Sequence, residues 1–154
     1  MSCSVCLFGD SVAKGVIFDS IRQKYRVLKD CFAASIQAKE HLAVTNYSKF
    51  GCTIDKGREI LERHAEELPS YDFVVFEFGG NDCDFDWHDV AEHPDQPHEA
   101  KTPLETFERS YREAVRFARA NGGNPVLLTL PPIDAQRYFK WISRGEDAGA
   151  ILKW

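Results

Sequence analysis

The chain has 154 residues, 44% of them hydrophobic and 28% charged, and a net charge of −5. That length suggests one domain that can bury a core without metals or disulfides. The acidic balance argues against nucleic acid or an anionic membrane surface as the main partner. No apolar run approaches the ~20 residues that span a bilayer.

Residues 4–8 read as a short buried strand running into Gly9-Asp10-Ser11. The N-terminal residues lack the basic segment and apolar core of a signal peptide. Five cysteines at no scaffold-like spacing point to a reduced, cytoplasmic setting. Cys3 and Cys6 form a Cys-x-x-Cys pair. It lies before or within the strand, where residues three apart face opposite sides, so neither redox nor metal chemistry is expected of it.

Residues 16–28 are rich in β-branched and aromatic types and suggest an extended excursion or small hairpin. Residues 29–41 can be helical, with Phe32, Ala33 and Ile36 inward and His41 at the end, where a cation suits the dipole. A second strand spans 42–47. Residues 53–68 form an amphipathic helix with Ile54, Ile60, Leu61, Ala65 and Leu68 near one face, beside which His64 packs. The third strand, 72–78, is apolar enough to be buried on both sides.

An acidic stretch of Asp, His, Pro and Trp runs from Asp82 to Lys101, and loops of that length are usually functional or disordered. Phe85 and Trp87 in it either line a substrate pocket or pin the loop to the body. The histidines and aspartates match no standard zinc spacing. Thr102-Pro103-Leu104-Glu105 reads as an N-cap, a first-turn proline and a capping-box glutamate. Leu104, Phe107, Tyr111, Ala114, Val115 and Ala118 follow at helical spacing, and Gly122-Gly123 stops the helix. Residues 125–130 make the fourth strand, ended by Pro131-Pro132.

Strands alternating with helices predict a parallel sheet with helices on both faces. Ligands in such sheets bind beyond the carboxyl ends of the strands. Those ends carry Gly9-Asp10-Ser11, then Gly51, then Gly79-Gly80-Asn81-Asp82, then Asp134 after the two prolines. Ester hydrolysis needs a nucleophile, a base and donors for the developing oxyanion. Ser11 can be the nucleophile. Its own N–H, the N–H of Gly51 and the Asn81 side-chain amide can be the donors. Asp10 and Asp134 have plain structural readings too, as acceptors for nearby backbone amides. Asp10, Asp82, Phe85, Trp87 and Asp134 are the residues expected to border a pocket.

These blocks, in this order, resemble the SGNH hydrolases, also called GDSL-type esterases and lipases. Gly9-Asp10-Ser11 matches the first block, Gly51 the second and Gly79-Gly80-Asn81-Asp82 the third. The resemblance spans the whole chain. It implies a three-layer α/β/α, flavodoxin-like fold and serine-ester chemistry on a small-molecule ester, acyl or acetylated sugar, without a cofactor or metal. It also implies a fourth block, Asp-x-x-His after a fifth strand. No histidine follows His98. We therefore expect a single domain cut short of its last strand and helix, nearly inactive alone. An open sheet edge beside 126–130 would then favour self-association, unless residues 148–154 fold back over it through Ile151 and Trp154. Asp95-Gln96-Pro97-His98 fits Asp-x-x-His, but between the third strand and the helix at Thr102, so His98 is only a substitute base. The alternative reading is a pocket-bearing binding domain that has lost its base.

Overall fold

The computed structural model describes residues 3–40 and 42–154. Four strands form one sheet: β1 (Ser4–Gly9), β4 (Ala43–Asn46), β5 (Phe73–Glu77) and β6 (Pro125–Leu127). Its order is β4-β1-β5-β6 and every pairing is parallel. The excursion at 16–28 is an antiparallel hairpin, β2 (Val16–Asp19) with β3 (Lys24–Val27).

Alternation along β1 and β5 divides the side chains between two helical layers. Cys6, Phe8, Val74 and Phe76 face a core closed by α3 (Ile54–Arg63) and α5 (Leu104–Ala120). Leu7 and Val75 face a smaller core with Ala13 of α1 (Ser11–Lys14) and Ala33 of α2 (Phe32–Glu40). The architecture is thus three-layer α/β/α. β4 lies on one side of β1, and β5 and β6 lie on the other. This winding is flavodoxin-like, and its direction reverses between β1 and β5, where such sheets open a crevice. No described helix is long and apolar enough to cross a membrane.

Several sequence expectations change in detail. Among the described side chains of α2 only Ala33 is buried, and it is the one that joins the smaller core; Phe32 and Ile36 are exposed. His41, expected to end this helix, lies outside the described residues. The helix at 53–68 stops at Arg63 and continues as a 3-10 turn over Ala65–Ser70, which contains Pro69. His64 stacks on Tyr47 with ring centroids 4.0 Å apart and bonds Glu67. Thr102 does not cap α5. Its hydroxyl donates to Asp82 Oδ1 at 2.8 Å, and the helix starts one residue beyond Pro103.

Two further helices, α6 (Ala135–Ile142) and α7 (Ala148–Lys153), follow β6 and were not anticipated. The tail does not cover the β6 edge. α7 packs on α4 (Trp87–Glu92), and the Trp154 ring meets Phe85, Trp87 and His98 at 4.9, 6.2 and 5.4 Å. Aromatic partners on the acidic loop outcompete a polar strand edge for this indole. The β6 edge stays open, and a groove of about 970 Å³ runs beside it, walled by Phe78, Phe107, Tyr111, Val115, Leu128 and Leu130.

Candidate active site

At the tip of β1 the backbone is tightly packed. A Cβ on Gly9 would sit 2.6 Å from Ala13 Cβ and 2.7 Å from the Glu77 carbonyl, so only glycine fits. Asp10 then caps the single turn of α1, its Oδ1 accepting from Val12 N at 2.7 Å. Ser11 is the first residue of that turn and is partly exposed. Lys14, at the turn's end, reaches across to the Ser48 carbonyl at 3.2 Å, and Lys49 N donates to Gly9 O at 3.1 Å. The ends of the first and second strands are thereby tied together.

Gly51 has φ +66°, and no atom lies within 4 Å of where its Cβ would be. Glycine permits this left-handed conformation without strain, and it leaves the local backbone open to a ligand. Asn81 joins the two loops. Its Nδ2 donates to Asp10 Oδ2 at 3.1 Å and to the Cys52 carbonyl at 3.2 Å. One carboxamide therefore bonds the residue before Ser11 and the residue after Gly51, and three strand ends meet at one rim.

The other residues singled out from sequence are placed differently. Asp82 is buried and takes bonds from Ile54 N at 3.0 Å and Thr102 Oγ1 at 2.8 Å. It anchors the start of α3 against the start of α5. Burial raises its pKa, with these two bonds opposing. Asp134 is an exposed N-cap for α6, accepting from Arg137 N at 3.0 Å. Phe85 and Trp87 pack against each other at a tilt and meet the Trp154 ring edge-on. Trp87 Nε1 and Tyr138 Oη both donate to Asp84 Oδ1, and Lys101 Nζ bonds Asp84 Oδ2. Those aromatics pin the acidic loop to the helices that follow β6.

His98 is held inside that loop. Its Nδ1 meets Asp89 Oδ2 at 2.9 Å and its Nε2 meets the His93 carbonyl at 3.0 Å, so both ring nitrogens are engaged away from Ser11. His88 pairs with Glu92 and Glu146, and His93 with Asp89. Among the described residues no histidine hydrogen-bonds Ser11.

Two features of the rim escaped the sequence reading. The first is Glu77, 3% exposed at the end of β5 and paired in register with Gly9. A carboxylate in the otherwise apolar Phe73-Val-Val-Phe-Glu77-Phe78 run was the available signal. The second is an aromatic wall beside Gly51. Phe50 is 57% exposed and packs on Tyr25 of the hairpin, with centroids 5.1 Å apart. Trp141 of α6 continues the wall, 4.9 Å from Phe18 and 6.1 Å from Tyr25. The hairpin itself pairs 18 with 25, and only the tertiary fold brings 50 and 141 to them.

Residues 7–149 match the GDSL-like lipase/acylhydrolase family. The chain belongs to this family. Solved structures share the fold at low identity. A lipase/acylhydrolase from Enterococcus faecalis is 23% identical with a TM-score of 0.58, over 98% of this chain and 66% of that one. A carbohydrate acetylesterase family member from Sinorhizobium meliloti is 18% identical, TM-score 0.58, over 97% and 74%. The psychrotrophic esterase EstA from Pseudoalteromonas sp., solved inhibited by monoethylphosphonate, is 16% identical, TM-score 0.55, over 94% and 74%. This chain thus spans about two thirds to three quarters of the length of the structures it resembles. No curated protein gives a significant match.

Proposed function

We propose that this chain is a serine ester hydrolase with Ser11 as its nucleophile. The observation that carries the reading is the Asn81 amide, which bonds the neighbours of both Ser11 and Gly51. Ser11 Oγ attacks the ester carbonyl and loses its proton to a base. The oxyanion collects the N–H groups of Ser11 and Gly51 and one N–H of Asn81. For that, Asn81 turns one hydrogen away from Asp10 or from the Cys52 carbonyl. Bonds of 3.1 and 3.2 Å lie at the long end of the normal range and exchange readily. The tetrahedral intermediate then expels the alcohol, which takes a proton. Water hydrolyses the acyl-serine and frees the acid. The exposed Phe50 face suits the apolar part of an acyl group or the flat face of an acetylated sugar.

A second reading is a binding domain that holds an ester without turning it over. The engagement of His64, His88, His93 and His98 elsewhere favours it. A p-nitrophenyl alkylphosphonate separates the two, with intact mass as the readout, alongside p-nitrophenyl acetate hydrolysis. We expect one phosphonyl adduct on Ser11, absent in Ser11→Ala. Turnover by this chain should be slow, since general-base help is worth typically ~10²–10⁴, and a longer form carrying an Asp-x-x-His should be active. Adduct without any turnover supports the binding reading. An absent adduct overturns Ser11 as nucleophile. Full turnover that collapses in His98→Ala makes His98 the base.

A further inference from the structure

Both carboxyl oxygens of Glu77 are buried and meet no hydrogen-bond donor of good geometry among the described residues. A buried carboxylate without a donor would cost several kcal/mol. Parallel register sets Glu77 opposite Gly9, its Oε2 3.2 Å from where a Gly9 Cβ would be, and the next residue is the buried Asp10, whose charge bears directly on Glu77. Two neighbouring buried carboxylates both accept and repel. A single proton between them turns the repulsion into a hydrogen bond and satisfies Glu77.

We propose that Glu77 is a positioning residue that carries this proton and, as a neutral acid, donates to Asp10. Burial raises the Asp10 pKa as well, but Asp10 remains the anion because it already accepts from Val12 N and Asn81 Nδ2, whereas Glu77 has no such bond. The chain of bonds then runs Glu77 to Asp10, and from Asp10 to both the Ser11 turn and the Asn81 amide. Glu77 acts through these groups and touches no substrate. The inference rests on the ester-hydrolase reading for its purpose, but not for its chemistry.

Asp82 adds negative charge near Asp10, the Glu77 charge bears on Tyr111 of α5, and the Asp10 charge bears on Cys52 in the loop ahead of α3. Lys14 of α1 turns to the Ser48 carbonyl instead. Burial first, and then the Asp10 charge, push the Glu77 pKa up to about 7, against smaller opposing contributions from the backbone amides of Asp10 and Ala13. A carboxyl whose folded pKa is raised binds more protons folded than unfolded. Its stabilising contribution is complete below the unfolded value near 4.5 and is lost as pH rises through about 7.

Carbon-detected NMR titration of the side-chain carboxyls in the full chain tests the proton directly. We expect the Glu77 resonance to titrate well above the ordinary glutamate range, with Asp10 coupled to it. A Glu77 midpoint below 5 overturns the proposal. Thermal melts of wild type and Glu77→Gln at pH 5 and 8 provide the second readout. The wild-type Tm should fall by roughly 5 °C more than the variant's, since the carboxamide in Glu77→Gln donates to Asp10 at every pH. Parallel melting curves overturn it. Phosphonylation of Ser11 then addresses purpose. Glu77→Gln should label at the wild-type rate at pH 6, and Glu77→Ala at least tenfold slower. Equal rates for both variants overturn the positioning role. If wild type takes no label while the titration holds, the ester-hydrolase reading fails and the shared proton stands.

Discussion

At the scale of single residues, Asn81 and Phe50 make separable contributions. Asn81 bonds both flanking loops through one nitrogen, so it both builds the rim and is offered as a donor to the oxyanion. Asn81→Ala should lower kcat by ~10²–10³, the usual loss for one oxyanion donor. Its Tm should fall as well, because Asp10 loses one of its donors. A variant that melts lower but keeps kcat would confine Asn81 to structure. Phe50 forms no bond at the rim and stands more than half exposed. Phe50→Ala should therefore leave kcat and Tm unchanged and raise KM about fivefold for an apolar acyl ester, or ~1 kcal/mol. Steady-state kinetics on a short and a longer acyl ester check this, and an unchanged KM for both removes the aromatic wall from substrate binding.

Among the elements, the start of α3 depends on a side chain far away in sequence. Thr53 precedes the helix but makes no side-chain cap. The orphan amide of Ile54 instead goes to the buried Asp82, which also holds Thr102 at the approach to α5. Two helices on the same face of the sheet are thus aligned through one carboxylate. Asp82→Ala would leave two buried donors unpaired and should cost about 2–4 kcal/mol in urea unfolding. Asp82→Asn keeps an acceptor for Ile54 and should cost less than half of that. A loss below ~1 kcal/mol for the alanine variant would mean that water replaces the carboxylate. The α4–α7 contact is of a different kind. It is built from Phe85, Trp87 and Trp154 packing, with polar bonds to Asp84 at its border. Bonds from Lys101, Tyr138 and Trp87 hold the Asp84 pKa below its usual value although burial pushes it up.

For the whole molecule, the open side of the sheet is the dominant feature. Leu127 is 53% exposed on β6, and the apolar groove beside it has no cover from the tail. An unpaired strand edge next to exposed apolar surface favours pairing with another copy. Light scattering across a concentration series should show the chain associating at high concentration, and Leu127→Lys should suppress it by placing a charge on the edge. A monomer at every concentration would show that the groove is tolerated in water.

The strand–helix alternation, the parallel sheet and the three blocks at the strand ends were legible in the sequence because each depends on local period and turn chemistry. Short apolar runs rich in β-branched and aromatic residues such as 73–76 favour strands, and Gly9 and Gly51 mark where the backbone must bend or crowd. Ser11, Gly51 and Asn81 could accordingly be expected beyond strand ends in advance. Partners distant along the chain could not be read. Thr102 looks like a helix cap in isolation, yet a buried carboxylate twenty positions earlier offers its hydroxyl a stronger, charge-assisted bond. Trp154 looks like cover for a strand edge, yet the acidic loop presents it with aromatic rings. Glu77 reads as one acid in an apolar strand; its meaning arises only when parallel register sets it opposite Gly9 and against Asp10. Local sequence determines which elements form and what stands at their ends, since those energies are short-ranged. Which side chains share a proton, a ring face or a buried donor is decided by the packing of segments far apart in the chain, and tertiary structure alone supplies that.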